Sequence, residues 1–236
     1  MLSIDDRLKH LLPGWAYYPH KIAQLTRRGE PELRFLRDLV PKGRLALDVG
    51  ANRGLYSYAL LKWTDRVEAF EPNPELAAFA RRKLGRAVRV HEVALSNESG
   101  AMTLFIPQRE PGIDAHYNAS LKKVYPFELY TEVTVPVATL DSLQLSDVGF
   151  IKIDAEGADM DVIEGGHATI ARDRPNMVVE LVAETHADPL ACIEHIRRTF
   201  RYDARIFLGD RLVEAREVLA DRARELDTCN VVFTPA

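Results

Sequence analysis

Five residues in the first third of the chain have the types and spacing of a nucleoside-binding loop. Asp48, Gly50, Asn52 and Gly54 occupy alternate positions, and Glu71 ends the next apolar run, 21 positions after Gly50 (71 − 50 = 21). Glycine lets the backbone approach a ligand closely, and a helix that begins after the loop offers unpaired N–H groups. A carboxylate at the end of the second strand can accept hydrogen bonds from both ribose hydroxyls. This pattern predicts a nucleoside site.

The same loop separates two classes of nucleoside cofactor. A dinucleotide fingerprint reads G-x-G-x-x-G, but here Asn52 takes the middle glycine position and Gly54 comes one residue early. The order D-x-G-x-N-x-G instead resembles the loop of methyltransferases that depend on S-adenosylmethionine (SAM). Two other functions stay open, namely an NAD-linked oxidoreductase on the same fold and a nucleoside-binding module without catalysis.

A second group of carboxylates follows later apolar runs. Asp154 and Glu156 come directly after the run at 150–153, and Glu180 lies near the end of another run. Parallel strands bring their carboxyl ends to one rim of a sheet, where ligands bind. Because a hydroxyl is a weak nucleophile at neutral pH, these residues are candidate catalytic groups for transfer to oxygen. The same three carboxylates are an alternative site for Mg²⁺, which prefers oxygen ligands, although no residue is assigned to a metal.

Four further residues are candidates on weaker grounds. Pro72 follows Glu71 directly, and Glu92 and Ala94 end the third predicted strand, so all three are assigned to the cofactor rim. His116 is an alternative catalytic base, because an imidazole titrates near neutral pH.

The elements that must position these residues alternate between strand and helix patterns. This alternation predicts an α/β fold with a doubly wound, mostly parallel sheet. Residues 1–40 are predicted to form a helical cap or a lid, and residues 41–236 one catalytic domain. Within that domain, two strands at 102–106 and 133–137 flank a polar insert at 107–132, which we place near the substrate.

The composition and net charge of the chain limit the kinds of partner that we expect it to bind. The chain has 236 residues and a net charge of −4, so nothing favours attraction to nucleic acid. It has no apolar run long enough to span a bilayer, and its charged N-terminus does not resemble a signal peptide. We therefore expect a cytoplasmic protein that binds a small-molecule acceptor. The sequence carries no indication of an oligomeric state.

Several ordered motifs resemble one family. The segment FIKIDAEGADMDVIEGG at 150–166 is similar to the K-I-D-x-E-G signature of the FkbM family of SAM-dependent methyltransferases. Two positions depart from the family pattern, since Ala155 stands where valine is frequent and Asp159 where glutamate is frequent. Other segments that match the family pattern lie at 47–57, 71–74, 94–100, 139–143 and 174–181.

The resemblance implies a fold and an activity. The fold would be a Rossmann-like class I methyltransferase domain with a seven-stranded sheet, in which six strands are parallel and the last is antiparallel. The cofactor would be SAM, and the reaction would be methyl transfer to a hydroxyl of a sugar or another small natural product.

Overall fold

The computed structural model describes most of the chain and all of the expected α/β elements. The described residues are 12–28, 32–110, 113–114, 119–123, 127–181, 186–208, 211–217 and 230–236. The α-helices within them are α1 (Gly14–Arg28), α2 (Glu32–Leu39), α3 (Leu55–Leu60), α4 (Pro74–Leu84), α5 (Asp159–Gly165), α6 (His167–Asp173) and α7 (Pro189–Phe200). The strands are β1 (Leu45–Val49), β2 (Val67–Phe70), β3 (Arg89–His91), β4 (Ala94–Leu95), β5 (Gly100–Glu110), β6 (Ile113–Asp114), β7 (Leu129–Ala138), β8 (Val148–Ile153), β9 (Asn176–Glu180), β10 (Tyr202–Leu208), β11 (Arg211–Glu214) and β12 (Asn230–Pro235).

The central sheet confirms the predicted fold class. Its order is β11-β10-β12-β9-β8-β1-β2-β3. The five neighbouring strands β9, β8, β1, β2 and β3 pair in parallel. The last strand, β12, is antiparallel to both of its neighbours, β9 and β10. In the described residues this sheet has eight strands, one more than the expected seven. The additional strand is β11, which forms an antiparallel hairpin with β10.

Both faces of the central sheet are covered, which explains its continuous apolar strands. Every residue of β1 and β8 is buried, as expected for parallel strands between two layers of helices. Strand β1 pairs with β2 on one side and β8 on the other. The carboxyl ends of these three strands therefore meet at one rim.

A smaller sheet replaces part of the predicted insert. Its order is β4-β7-β5-β6, and the long β5–β7 hairpin extends beyond both predicted strand ends. The boundaries 107–132 are therefore too wide for a loop, because residues 107–110 and 129–132 are paired strand. The extension was not predicted because its side chains are polar. Gln108, for example, donates to the Thr131 hydroxyl at 2.8 Å, and such residues suit the solvent-facing side of an antiparallel pair. His116 lies outside the described residues.

The first N-terminal helix, α1, contacts the loop and the helix that follow β1. Tyr18 of α1 is fully buried, stacks on Tyr58 with ring centroids 4.7 Å apart, and donates to the carbonyl of Arg53 at 2.7 Å. Helix α1 is therefore attached to the loop that follows β1. None of the helices in the described ranges is long and apolar enough to cross a membrane.

Candidate active site

A cavity of about 440 Å³ opens at the carboxyl ends of β1, β2, β8 and β9. Both predicted groups of residues, the cofactor loop and the later carboxylates, contribute to its wall. The predicted residues that line it are Asp48, Gly50, Asn52, Glu71, Pro72, Ala94, Asp154, Glu156 and Glu180.

Glu71 lines the end of the cavity that is formed by the loop after β1 and the end of β2, which we call the cofactor end. Its carboxylate is buried and accepts from two backbone N–H groups, that of Asn52 at 2.7 Å and that of Asn73 at 2.8 Å. One bond reaches each oxygen, so each retains a second lone pair for a ligand donor. Burial raises the pKa of Glu71 to about 7. A ligand with paired hydroxyls would stabilise the ionised form.

Gly50 is required by the protein itself. Its φ of +76° is in the left-handed region, and a Cβ built there would lie 1.8 Å from the carbonyl oxygen of Asp154. The sequence pattern explained this glycine by the approach of a ligand, but the structure shows that the β1 loop meets the end of β8 there. This contact joins the cofactor loop to the later carboxylates.

Gly54 and Glu92 do not line the cavity. A Cβ at Gly54 would lie 2.6 Å from Leu84 Cδ1, so helix packing accounts for this glycine. Strand β3 ends at His91, one residue before Glu92, and the Glu92 carboxylate pairs with the Arg81 guanidinium at 2.7 Å. The cavity wall therefore does not support their assignment to the cofactor site, which stays a prediction.

Asp48 is buried in the floor of the cavity. Its Oδ2 accepts from the Ser57 hydroxyl at 2.5 Å, and burial raises its pKa to about 6. Its neighbour in the β1–β8 register is Lys152, whose charge opposes that rise. The hydroxyl and the ammonium together compensate for taking this carboxylate out of water.

Asn52 provides an observation that fits the polar groups of SAM. Its backbone is left-handed, with φ of 51°, and its buried Oδ1 has no hydrogen-bond partner among the described residues. An unsatisfied buried acceptor is costly, so it fits a cofactor with N–H or O–H donors. With the Glu71 carboxylate nearby, the residues present match the ribose and amino groups of SAM.

Three carboxylates form the other end of the cavity. Asp154, Glu156 and Glu180 each bring an oxygen within 4.8 Å of the other two. Burial, and then the charge of Asp154, raises the pKa of Glu180 to about 9. The Lys152 ammonium lies 3.6 Å from Asp154 Oδ2. At neutral pH Glu180 therefore holds its proton and can donate a hydrogen bond to the Asp154 side chain.

The turn that carries Glu156 is stabilised by hydrogen bonds to the Asp159 side chain. The backbones of Glu156 and Gly157 are both left-handed, with φ values of 49° and 92°. The buried Asp159 carboxylate accepts from the backbone N–H groups of Ala155 at 2.7 Å and Gly157 at 3.1 Å. Thus Asp159, one of the two departures from the family pattern, shapes this turn.

Several lining residues were not predicted as site residues. Helix α1 contributes Tyr17, Lys21 and Gln24, and α3 contributes Tyr56. Strand β8 contributes Lys152, which also lines the cavity. The periodicity of the sequence cannot predict that α1 contributes to the cavity, because its position depends on tertiary packing.

The sheet order and the cavity at its carboxyl rim define a Rossmann-like methyltransferase. The profile of the methyltransferase FkbM domain matches residues 48–202. The chain therefore belongs to the FkbM family of SAM-dependent methyltransferases, and an NAD-linked oxidoreductase is no longer an alternative.

Comparison with individual proteins gives the same class. The 2-O-methyltransferase NoeI of Sinorhizobium fredii is 28% identical over 195 residues, which are 74% of this chain and 75% of that protein. The crystal structure of an FkbM methyltransferase from Methylobacillus flagellatus KT aligns with a TM-score of 0.53 at 14% identity, over 97% of this chain and 57% of that one. A methyltransferase from Geobacter sulfurreducens aligns with a TM-score of 0.50 at 13% identity, over 98% and 94%. At these identities the two structures show the fold alone.

Proposed function

We propose that this protein is an O-methyltransferase that acts on a hydroxyl of a sugar or another small natural product. The observation that carries the proposal is the Asp154 carboxylate, which shares one cavity with Glu71 and lies beside Lys152 and Glu180. The similarity to NoeI, described as a 2-O-methyltransferase, supports oxygen as the acceptor atom.

The cofactor end accounts for binding and orientation. SAM supplies a methyl group that is already activated on a sulfonium centre. Glu71 would accept from the ribose hydroxyls, and Asn52 Oδ1 from a donor of the cofactor. Asp48 and Asp154 carry the negative charge that attracts the sulfonium. This arrangement directs the methyl group toward the later carboxylates, so that the acceptor is held close to it.

The acceptor end accounts for proton transfer. As the acceptor oxygen bonds to the methyl carbon, the carbon–sulfur bond breaks and the hydroxyl proton passes to the Asp154 carboxylate. The lost carboxylate charge balances the lost sulfonium charge. Glu180, which holds its own proton at neutral pH, orients Asp154 through a hydrogen bond. Glu156 lies within reach of both.

The walls around this end are the proposed acceptor site. The cavity is also lined by Ser120 and Leu121 of the insert and by residues of helix α1. The Ser120 hydroxyl donates to the carbonyl of Glu156 at 2.6 Å, which ties the insert to the acidic turn. We place the acceptor between the insert and α1.

The direct test is a labelling experiment. The protein is incubated with methyl-deuterated SAM and a panel of neutral methyl glycosides and polyketide alcohols, and the products are analysed by mass spectrometry. We expect a deuterated methyl ether on one acceptor, and transfer about 10²- to 10⁴-fold slower by Asp154→Asn. Label on nitrogen or carbon, or no transfer to any member of the panel, contradicts the proposal.

A chelator separates proton transfer to Asp154 from metal assistance. If Asp154, Glu156 and Glu180 held Mg²⁺, treatment with EDTA would remove activity and Mg²⁺ would restore it. We propose the metal-free reaction, because the Asp154 carboxylate can accept the hydroxyl proton directly. Its rate is expected to be unchanged by EDTA.

A further inference from the structure

Four polar residues form a partly buried hydrogen-bonded chain beneath the acceptor end, and the two charged members, Glu32 and Lys152, are its buried ones. Glu32, 1% exposed, accepts at Oε1 from the Tyr56 hydroxyl at 2.6 Å and from Asn230 Nδ2 at 2.6 Å. Asn230 Oδ1 in turn accepts from Lys152 Nζ at 2.9 Å. Lys152 Nζ also lies 5.3 Å from the centroid of the Tyr56 ring. The chain thus runs from α2, through β12, to β8.

The charges at its two ends fix the orientation of the central amide. The oxygen of Asn230 faces the Lys152 ammonium, and its nitrogen faces the Glu32 carboxylate. A reversed amide would place each dipole against a like charge, so only this orientation satisfies both partners. Because Lys152 is 2% exposed, it needs such partners to remain charged.

The chain ends at the candidate base. Lys152 Nζ lies 3.6 Å from Asp154 Oδ2, and Asn230 is the register partner of Glu180 across β12 and β9. A displacement of the ammonium would remove the cation beside Asp154 and free its side chain to reorient. Glu32 and Asn230 can therefore act on Asp154 through Lys152.

We propose that Glu32 and Asn230 are positioning residues that hold the Lys152 ammonium against the Asp154 carboxylate. Both lie outside the 48–202 segment that matches the family domain. Segments near both ends of the chain thereby complete the acceptor end. This inference rests on the proposed function, because it assumes that Asp154 receives the proton.

The first test separates rate from affinity. We would compare Asn230→Ala and Glu32→Gln with the exposed controls Asn97→Ala and Glu98→Gln. The measurements are kcat for transfer from methyl-labelled SAM to a mixture of neutral methyl glycosides, and the Kd of SAM by calorimetry. We expect kcat to fall about 10- to 100-fold in Asn230→Ala, and by less in Glu32→Gln, because misplacement of a catalytic group costs rate. The Kd of SAM should stay within about twofold.

The second test needs no acceptor. The shift in urea midpoint caused by Asn230→Ala is measured in the unaltered protein and in a Lys152→Met background. If Asn230 supports the ammonium, the loss is much smaller once the ammonium is gone, because contacting residues are not additive. Equal shifts in the two backgrounds overturn the proposal, as does a kcat equal to that of the controls.

The two tests also distinguish failure of the inference from failure of the function. If the unaltered protein labels no glycoside, the proposed function on neutral sugars fails, and the urea midpoints decide whether the network exists. If it labels a glycoside but the variants match their controls, the positioning role alone is wrong.

Discussion

The two ends of the cavity are built in different ways. At the cofactor end, Glu71 is bonded to Asn52, 19 positions away, and Asp48 to Ser57, nine positions away. At the acceptor end, Lys152 is bonded to Asn230 across 78 positions and Asn230 to Glu32 across 198. The cofactor end is thus a product of two adjacent βα units, whereas the acceptor end requires almost the whole chain. Changes at the first should alter cofactor affinity, and changes at the second should alter rate.

The largest expected effect is at the acceptor end. Asp154→Asn removes the proton acceptor but keeps the side chain's shape, so we expect turnover to fall about 10²- to 10⁴-fold. SAM affinity should change far less. Single-turnover transfer from labelled SAM measures the rate, with exposed Asp65→Asn before β2 as the control. A variant that keeps its rate would place the base elsewhere, and His116 would be the next candidate.

The contact between the two ends is tested by a pair of glycines. Gly43 and Gly50 have nearly equal φ values, +74° and +76°, but a Cβ at Gly43 meets nothing within 4 Å. Gly43→Ala should therefore cost only the left-handed backbone strain, about 1–2 kcal/mol. Gly50→Ala adds a backbone clash, so we expect a loss of more than about 4 kcal/mol, a size typical of severe steric disruption.

Urea denaturation measures both glycine variants. If they lose the same free energy of unfolding, the approach of the β1 loop to Asp154 is not a rigid contact.

At the cofactor end, the effect should appear in affinity alone. Glu71→Gln keeps one acceptor oxygen but loses the charge, and a hydrogen bond to a charged group contributes about 1.5–3 kcal/mol. We expect SAM to bind about 10- to 100-fold more weakly by calorimetry, with kcat at saturating SAM little changed. The exposed Glu75→Gln, in the first turn of α4, is the matched control. A large loss of kcat at saturation would show that the two ends are not separable.

The smallest expected effect is a pH dependence of cofactor binding. Burial raises the pKa of Glu71 from 4.5 to about 7, so the protein without ligand holds a proton there in acid. Ribose hydroxyls prefer the ionised acceptor, and SAM affinity should therefore rise several-fold as the pH passes through about 7. Glu71→Gln should remove this rise. The same slope in the variant would assign the titration to another group.

The same pKa has a consequence for stability. Because the folded pKa of Glu71 exceeds its unfolded value, the native state binds more protons between about 4.5 and 7. Stability of the ligand-free protein from this group is therefore lost as the pH rises through that window. Comparing urea midpoints of the unaltered protein and Glu71→Gln across the window measures it.

The residues of the cofactor end could be predicted from the sequence because their signal is local. Residues such as Asp48, Gly50 and Glu71 lie at strand ends that alternate with helix patterns, and parallel topology brings those ends together. The carboxylates Asp154 and Glu180 were found by the same rule.

The acceptor end was only partly predictable. The link from Lys152 to Glu32 through Asn230 joins segments that no periodicity relates. Strand β11 and the extension of the β5–β7 hairpin beyond the predicted strands were missed. Strands that face solvent on one side carry polar residues, which weakens their sequence signal. Glu92 satisfied the strand-end rule, but its side chain is engaged by Arg81.

The most direct test of the central claim is a crystal structure with S-adenosylhomocysteine. We predict that both ribose hydroxyls donate to the Glu71 carboxylate and that the sulfur faces Asp154. Adenosine bound away from Glu71, or a sulfur turned away from Asp154, would contradict the account.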